Sequence, residues 1–171
     1  MSEKLVKTAF LSIGSNLGNR KKNINIAKFK LEKNKINVIK SSNNYETLSW
    51  PNKKNPKFIN VVLKVKTTLT AYELMKKCLQ IENELGRKRT IGKKYLPRTC
   101  DIDIIDYDRL ILKGINNHNL ILPHPKMHIR SFVILPLFEI AKTWIHPLKK
   151  ISVKELLNSL DIKELRAIKL V

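Results

Sequence analysis

Residues 37–68 read NVIKSSNNYETLSWPNKKNPKFINVVLKVKTT, and this stretch decides the fold. Its two ends, Asn37–Glu46 and Phe58–Thr68, have the composition and alternation of β-strands. A helix pattern over Arg20–Asn34 precedes them, and a Thr70 capping box that opens a second helix follows them. Two consecutive strands between two helices favour an antiparallel sheet with helices on one face over a doubly wound parallel sheet.

Further strand patterns lie outside this unit, at Leu5–Ile13 and Thr99–Tyr107. The order strand, helix, strand, strand, helix, strand predicts a ferredoxin-like α+β fold. Ser131–Ala141 is apolar almost throughout and is expected to pack inside. Since the chain shows no repeat and no linker, we predict a single domain over 1–171, with residues 146–171 forming a C-terminal helical tail.

The composition indicates a globular protein of the cytoplasm. Of the 171 residues, 43% are hydrophobic, and no apolar run approaches the roughly 20 residues of a membrane span. The beginning of the sequence has no apolar segment typical of a signal peptide. Two cysteines are too few for a disulfide framework. We therefore expect no membrane partner.

The formal net charge of +20 has two interpretations. It can indicate a polyanionic partner, or it can reflect a compositional bias that spreads lysine over solvated surfaces. Of the 34 basic residues 27 are lysine and seven are arginine, so the few arginines and aspartates are more informative about a site than the net charge.

Four of the five aspartates lie within eight positions, in the sequence DIDIIDYD that begins at Asp101. Alternation along a strand places Asp101 and Asp103 on one face, about 7 Å apart, and Ile102 and Ile104 on the other. Two neighbouring carboxylates suit Mg²⁺, which prefers carboxylate and phosphate oxygens. The alternative is that the pair is the solvated face of an edge strand.

Basic residues crowd beside this acidic pair. Arg87 and Arg89 lie at one end of the preceding loop and Arg98 at the other, with three lysines between them. Guanidinium groups bind phosphate oxygens in a bidentate manner, so arginines beside a metal–carboxylate centre suit a triphosphate. The alternative is an ordinary solvated basic loop. Residues 14–18, GSNLG, lack the Gly-Lys-Ser/Thr of a Walker motif and are interpreted as a structural turn.

A second group of candidate residues suits a planar heterocycle. Phe58 and Asn60 share one face of their predicted strand, and Phe132 could supply an opposing ring. The alternative is that both phenylalanines belong to the core. His124, between two prolines, is either a rigid turn residue or a phosphate contact. Further aromatic residues available to close a pocket are Tyr45, Trp50 and Tyr95.

Taken together, these segments resemble the 6-hydroxymethyl-7,8-dihydropterin pyrophosphokinase family of folate biosynthesis. The likeness covers about residues 5–145, and its most specific part is the P-R-x-x-D-x-D run with a downstream P-H-P. The matching segments are Gly14-Ser15-Asn16-Leu17, Tyr45-Glu46-Thr47, Phe58-Ile59-Asn60-Val61, Leu85-Gly86-Arg87, Pro97-Arg98-Thr99-Cys100-Asp101-Ile102-Asp103-Ile104, Leu122-Pro123-His124-Pro125, Arg130-Ser131-Phe132-Val133 and Pro136-Leu137-Phe138-Glu139-Ile140-Ala141.

The resemblance implies a ferredoxin-like α+β fold and transfer of the β,γ-diphosphate of ATP to the pterin hydroxymethyl oxygen, with release of AMP. It implies two Mg²⁺ ions held by Asp101 and Asp103, with Arg87 and Arg98 joining the two aspartates as catalytic residues. The residues it assigns to ATP are Glu82, Arg87, Arg89, Lys94, Arg98, Ile104, His124 and Arg130. Those it assigns to the pterin are Thr47, Phe58, Asn60, Tyr95 and Phe132.

The chain departs from the family pattern at a few positions. Many members carry Gln where Leu79 stands, which removes one expected nucleotide contact. The family's Arg-Trp-Gly-Pro-Arg reads Lys94-Tyr95-Leu96-Pro97-Arg98, in a loop longer by one residue. Asn119 and Ile121 replace the basic and hydroxyl residues often found near the ribose. None of these changes affects the carboxylate pair.

Two rival functions remain open at this point. A basic RNA-binding module can have the same topology, although the middle strands lack the RNP1 pattern and RNA binding does not explain the Asp101/Asp103 pair. A metal-dependent nucleotide phosphodiesterase could use the same pair without a pterin. For the pyrophosphokinase we expect ATP and the pterin as partners, no specific nucleic acid, and a monomer.

Overall fold

One large antiparallel sheet organises the protein, whose computed structural model describes residues 5–87, 96–114 and 120–171. The sheet order is β5-β1-β4-β3-β8, and β2 also pairs with β4; β6 and β7 form a separate pair. The strands are β1 (Lys7–Ser15), β2 (Ile36–Ser41), β3 (Tyr45–Thr47), β4 (Phe58–Thr67), β5 (Asp101–Tyr107), β6 (Leu112–Lys113), β7 (Ile121–Leu122) and β8 (Lys169–Leu170). The predicted ferredoxin-like arrangement is confirmed, since β1, β2/β3, β4 and β5 pair in its strand order.

Helices cover both faces of the sheet, whereas the sequence predicted helices on one face. The first core cluster joins α1 and α2 to one face, and the second joins α3 and α4 to the other. The α-helices are α1 (Arg20–Lys33), α2 (Ala71–Glu84), α3 (Ser131–Ile140), α4 (Val153–Asn158) and α5 (Ile162–Arg166), and a 3-10 turn spans Met127–Ile129. In the described ranges, no helix combines the length and apolar character needed to cross a bilayer.

Strand β4 is central to both layers, which explains its almost continuous apolar sequence. Ile59, Val61 and Leu63 pack in the core formed with α1 and α2, whereas Val62 packs in the core formed with α3 and α4. Burial on both faces favours an apolar residue at nearly every position, unlike the alternation of a half-exposed strand. At the end of β4 that begins with Phe58, the α3 face opens into a cleft.

The predicted strand Asn37–Glu46 is wrong as one continuous element. The chain pairs Ser41 with Leu63 and then Tyr45 with Asn60, so three residues lie opposite two on β4. Buried Ser42 fills the break: its N–H donates to Val62 O and its Oγ accepts from Val62 N, both at 2.9 Å. The side chain replaces a ladder hydrogen bond, and the resulting bulge starts β3 with a new alignment.

A second bulge lies in β5, between Ile104, which pairs with Leu11, and Asp106, which pairs with Phe10. The extra residue, Ile105, packs in the α3 core. Asp106 remains on that face, where it accepts a 2.9 Å hydrogen bond from Trp144 Nε1. The bulge therefore keeps Asp106 on the same face of the sheet as Asp101 and Asp103, but further along β5 and outside the cleft lining.

Local capping signals mark the ends of the helices, including the Thr70 capping box predicted from the sequence. Thr70 and Ser152 each form a reciprocal capping box, and Asn19 caps α1 through its side chain. Gly86 ends α2 with φ +80°, a conformation that glycine adopts without steric strain. The tail is helical as predicted, but it also adds β8 to the edge of β3.

Candidate active site

A cleft of about 480 Å³, including its open mouth, lies on the α3 face of the sheet, where β1, β4 and β5 meet the beginning of α3. The bulge after Ser42 places β3 along one side of it. The residues that line the cleft are Ser12, Gly14, Thr47, Leu48, Trp50, Phe58, Asn60, Arg98, Asp101, Asp103, Arg130 and Phe132. Most of the residues predicted for a pterin and a metal are therefore close together.

The carboxylate pair lies on the cleft side of β5, as alternation predicts. The side chains of Asp101 and Asp103 are 21% and 36% exposed, whereas Ile102 and Ile104 are buried on the opposite face. Desolvation, followed by repulsion from Asp101, raises the pKa of Asp103 to about 6, although Arg130 partly opposes this. Two neighbouring carboxylates of this kind favour a cation close to both of them.

The residues fit a hard divalent cation. Within the described part of the chain, no group of three or more His, Cys, Asp or Glu side chains could enclose a metal by itself. An ion bound by the Asp101/Asp103 pair would therefore complete its coordination with water and ligand oxygens. Mg²⁺ binds in this way, through one or two carboxylates together with substrate phosphates.

Arg87 connects the end of α2 to this pair. It donates to Oε1 of Glu82 at 2.5 Å and to Oδ1 of Asp101. Glu82 is only 1% exposed and also accepts from the N–H of Ile102 at 2.7 Å. Burial alone would lower the pKa of Arg87, but the charges of Asp101 and Glu82 raise it. Arg87 therefore remains a cation beside the carboxylates.

Arg98 and Arg130 neutralise the pair from the cleft side. Arg98 Nε lies 3.2 Å from Oδ2 of Asp101, and Arg130 donates to Oδ2 of Asp103 at 3.1 Å. The Nε groups of both arginines are buried and make no hydrogen bond within the described residues. Since a buried N–H without an acceptor is costly, these donors suit anionic oxygens entering the cleft.

The same two arginines cover the aromatic walls. The guanidinium carbon of Arg98 lies 5.3 Å from the ring centre of Phe58, and that of Arg130 lies 5.6 Å from Phe132 and 5.4 Å from Trp50. These are cation–π distances. Each arginine thus contacts both an acidic side chain and an aromatic ring. The two arginines therefore lie between the carboxylate side of the cleft and its aromatic side.

Asn16 anchors Arg98 through backbone contacts that the sequence interpretation missed. The N–H of Arg98 donates to Oδ1 of Asn16 at 2.8 Å, and the N–H of Asn16 donates to Arg98 O at 3.1 Å. The Asn16 amide also donates to Pro56 O at 3.1 Å. The signal was the GSNLG segment, interpreted only as a turn; its asparagine ties two loops of the cleft together.

The aromatic–carboxamide pocket is tightly packed. Phe58, Asn60 and Thr47 are 8%, 4% and 6% exposed, and the Asn60 amide donates to Thr47 Oγ1 at 2.8 Å. A Cβ added at Gly14 would lie 2.9 Å from Asn60 Oδ1 and 3.2 Å from Phe58 Cδ1. The neighbouring strand therefore needs glycine at this position for the backbone to approach the pocket.

The other predicted residues lie at the edge of the cleft or behind it. His124 Nε2 is 3.8 Å from Oδ2 of Asp103; burial, followed by the charge of Arg130, lowers its pKa to about 4, so the imidazole is neutral at pH 7. Glu82 and Ile104 are buried behind the carboxylates and do not line the cleft. Arg89, Lys94 and Tyr95 lie outside the described residues.

Comparison with known proteins agrees with this geometry. The family model for 7,8-dihydro-6-hydroxymethylpterin-pyrophosphokinase (HPPK) matches residues 10–142. The 2-amino-4-hydroxy-6-hydroxymethyldihydropteridine pyrophosphokinases of Bacillus subtilis and Aquifex aeolicus are both 38% identical to this chain, over 78% and 86% of it and over 78% and 89% of their own lengths.

Longer relatives contain the same region as one part. The folic acid synthesis protein fol1 of Pneumocystis carinii is 42% identical over 86% of this chain, which spans only 19% of that protein. Among solved structures, wild-type Plasmodium falciparum HPPK-DHPS with pterin and p-hydroxybenzoate superposes on 99% of this chain and 47% of its own, with TM-score 0.74 and 14% identity. At that identity the likeness supports the fold.

The fold and the site, with these relatives, define an ATP-dependent diphosphotransferase. The chain belongs to the HPPK family, whose enzymes transfer diphosphate from ATP to 6-hydroxymethyl-7,8-dihydropterin in folate biosynthesis. The comparisons support neither of the two rivals, the RNA-binding module and the nucleotide phosphodiesterase.

Proposed function

We propose that this chain carries out the family reaction in the cleft described above: it transfers the β,γ-diphosphate of ATP to the hydroxymethyl oxygen of the dihydropterin and releases AMP. The observation that carries the proposal is the meeting of the Asp101/Asp103 pair with Arg98, Arg130 and an aromatic–carboxamide pocket in one cleft. Arg87 adds a third cation, which pairs with Asp101 from behind the cleft lining. Neither an acidic pair alone nor a ring pocket alone would suit both substrates.

The phosphate side of the proposal rests on the arginines. Arg87, Arg98 and Arg130 are ion-paired with the carboxylates. A triphosphate offers them more acceptors, including partners for the buried Nε groups of Arg98 and Arg130. Magnesium held by Asp101 and Asp103 would supply positive charge at the phosphate oxygens and replace the charge that the arginines now give the carboxylates.

The pterin side rests on the pocket around Asn60. A planar ring can stack on Phe58 and Phe132 when Arg98 and Arg130 turn from those rings toward phosphate. The Asn60 carboxamide and the Thr47 backbone would address the polar edge of the heterocycle. Such a ring would lie directly beside Asp101, which brings the hydroxymethyl group to the phosphate side.

The chemical step is an in-line displacement. The hydroxymethyl oxygen forms a bond to the β-phosphorus while the bond from that phosphorus to the α,β-bridging oxygen breaks, and AMP departs. The hydroxyl proton passes to Asp101 or Asp103. The protein contributes positioning and charge stabilisation, which suffice for phosphoryl transfer without a covalent enzyme intermediate. The further ATP contacts predicted for Glu82, Arg89, Lys94, Ile104 and His124, and the pterin contact of Tyr95, remain predictions.

Three finer features complete the proposal. We infer two Mg²⁺ ions, as the family resemblance implies; Asp101 and Asp103 would hold them, and the ions would supply positive charge at the phosphate oxygens. We further propose that the protein acts as a monomer, since one chain contributes both walls of the cleft. A cytoplasmic location fits an enzyme that consumes ATP.

The decisive experiment follows conversion of ATP to AMP by phosphorus NMR, with and without the dihydropterin. We expect AMP and a pterin diphosphate only when all three components, ATP, Mg²⁺ and pterin, are present. Asp103→Asn should lower kcat at least about 100-fold, because it removes charge from the metal site. Its matched control is Asp108→Asn. Asp108 directly follows β5, and its carboxylate pairs with Lys7 at 2.7 Å, outside the cleft.

Nucleotide cleavage without pterin would replace the proposal with the phosphodiesterase. Turnover like that of the wild type in Asp103→Asn would remove this residue from the metal site. Equal losses in Asp103→Asn and Asp108→Asn would point to general destabilisation, which thermal unfolding of the two variants would measure directly.

A further inference from the structure

One carboxylate outside the cleft connects the two walls of the pterin pocket. Glu139, near the end of α3, accepts hydrogen bonds from the Asn43 N–H at 3.1 and 3.2 Å, the Asn43 side-chain amide at 2.8 Å and the Tyr45 hydroxyl at 2.7 Å. These partners lie 94 and 96 residues earlier in the chain. A single side chain thus fixes the bulge between β2 and β3 against α3.

The segment that Glu139 holds determines where the pocket's polar groups lie. Tyr45 pairs with Asn60 and Thr47 pairs with Phe58 in the ladder between β3 and β4. Strand β3 is only three residues long and pairs with β4 on one edge and β8 on the other, so Glu139 adds a contact from a third element, α3. Displacement of Tyr45 would be transmitted to Thr47, whose Oγ1 accepts the Asn60 amide hydrogen bond.

The opposite wall belongs to the same helix as Glu139. Phe132 stands in the first turn of α3 and lines the cleft, whereas Glu139 stands two turns later and does not. A contact between Glu139 and β3 therefore sets the distance between Phe132 and the Thr47–Asn60 pair. Desolvation, followed by the hydrogen bond to Glu139, raises the pKa of Tyr45 to about 12, so its hydroxyl remains a donor at neutral pH.

We propose that Glu139 is a positioning residue for the pterin: its hydrogen bonds to Asn43 and Tyr45 hold β3 so that Thr47 and Asn60 face Phe132 at the width of one planar ring. The proposal rests on the proposed function for the identity of the ligand. Arg87 follows the end of α2 and the Asp101/Asp103 pair lies on β5, both outside this network. The contribution of Glu139 therefore falls on pterin binding and much less on ATP binding.

The test compares two small changes with a matched control. Glu139→Gln retains the shape of the side chain but replaces one of its two acceptor oxygens with an NH₂ group. This new donor faces the N–H and O–H groups of Asn43 and Tyr45, which are donors themselves. Tyr45→Phe removes only the hydroxyl that reaches Glu139. The control, Glu155→Gln, alters a carboxylate that also accepts a backbone N–H and a hydroxyl, but in the capping box of α4.

We expect Glu139→Gln to raise the KM for pterin about tenfold and to leave the KM for ATP within about twofold of wild type. Direct binding of pterin, measured in the presence of a non-hydrolysable ATP analogue, should weaken by the same factor of about ten. Tyr45→Phe should show the same split at smaller size. Glu155→Gln should lower the melting temperature while leaving both KM values unchanged, which separates positioning from loss of stability.

The outcomes are distinguishable. Absence of pterin-dependent AMP formation in the wild type would reject the proposed function itself. With an active wild type, equal changes in both KM values or an unchanged pterin KM in Glu139→Gln would overturn the positioning role. If Glu139→Gln does not fold, Tyr45→Phe alone decides, and a pterin KM within twofold of wild type then counts against the proposal.

Discussion

Replacement of Gly14 by alanine tests the shape of the pterin pocket with the addition of one methyl group. The new Cβ would lie 2.9 Å from Asn60 Oδ1, so Asn60 must retreat by about 0.5 Å to reach the 3.4 Å of an ordinary contact. Asn60 is not free to move, because its amide donates to Thr47 Oγ1 at 2.8 Å. Phe58 Cδ1, at 3.2 Å, must also shift.

The expected effect has two parts. Overpacking of this kind costs about 1–3 kcal/mol of folding free energy. If even about 1.4 kcal/mol of it is felt by the bound pterin, the pterin Kd rises tenfold. The Kd for ATP should change less than that for pterin, because the three atoms nearest to the added methyl group belong to Asn60 and Phe58 and not to the phosphate-side groups.

Isothermal titration of each ligand, together with urea unfolding, measures both parts. The control is Gly18→Ala, where φ is +67° and the nearest atom to the added Cβ is Asn23 Nδ2 at 4.0 Å. Left-handed strain there costs about 1–2 kcal/mol without touching the pocket. A pterin Kd that changes no more in Gly14→Ala than in Gly18→Ala, at similar loss of stability, would refute the placement of the pterin beside Asn60.

Two further predictions concern the stability contributed by His146 and Trp144, where the C-terminal tail begins. His146 is 2% exposed, its Nδ1 accepts two backbone N–H groups, and burial, followed by His128, lowers its pKa to about 4. The pKa of His146 in the folded protein lies below the unfolded value of about 6.5, so its contribution to the free energy of unfolding is complete above that pH and falls by about 2 kcal/mol by pH 5. His146→Asn should therefore flatten the pH dependence of urea unfolding between these two pH values. An unchanged slope would contradict the role given to His146. Trp144→Phe should cost about 1.5–3 kcal/mol, because it removes the donor to buried Asp106, whose Oδ1 has no hydrogen-bond partner in the described residues. In a double-mutant cycle with Asp106→Ala, additive losses would show that this hydrogen bond contributes nothing.

Much of the fold could be predicted because its signals are local. Alternation in DIDII places Asp101 and Asp103 on one face, and the capping boxes at Thr70 and Ser152 mark where helices begin. These patterns depend on residues within one or two turns of each other, so no tertiary contact is needed to interpret them. The order of the elements then restricts the topology to a few arrangements.

The two bulges could not be predicted in the same way. The alternation over Asn37–Glu46 is compatible with one strand, but the alignment with β4 shifts between Val38 and Lys40 and again where Ser42 hydrogen-bonds to Val62. At Ile105 the extra residue is stabilised by packing against α3, which lies more than twenty residues later. In both places a partner distant in sequence overrides the local preference.

In the cleft, too, contacts between residues distant in sequence could be predicted only in part. The family resemblance brought Phe58, Asn60 and Phe132 together, and the structure places all three in one cleft. It did not indicate that Asn16 would hold Arg98, nor that Glu139 would hold β3. Asparagine and glutamate are common on surfaces, and nothing in the neighbouring residues distinguishes the ones that a distant backbone group will use.

By itself, therefore, the sequence determined the types and order of the helices and strands, the face on which the two aspartates lie and the excess of basic residues around them. Only the tertiary structure decided which arginine pairs with which aspartate, where the strands shift their alignment and how wide the pocket is. The physical reason is the range of the interactions involved. Periodicity and capping act over a few residues, whereas ion pairs, bulges and pocket walls depend on groups that meet only after the sheet has formed.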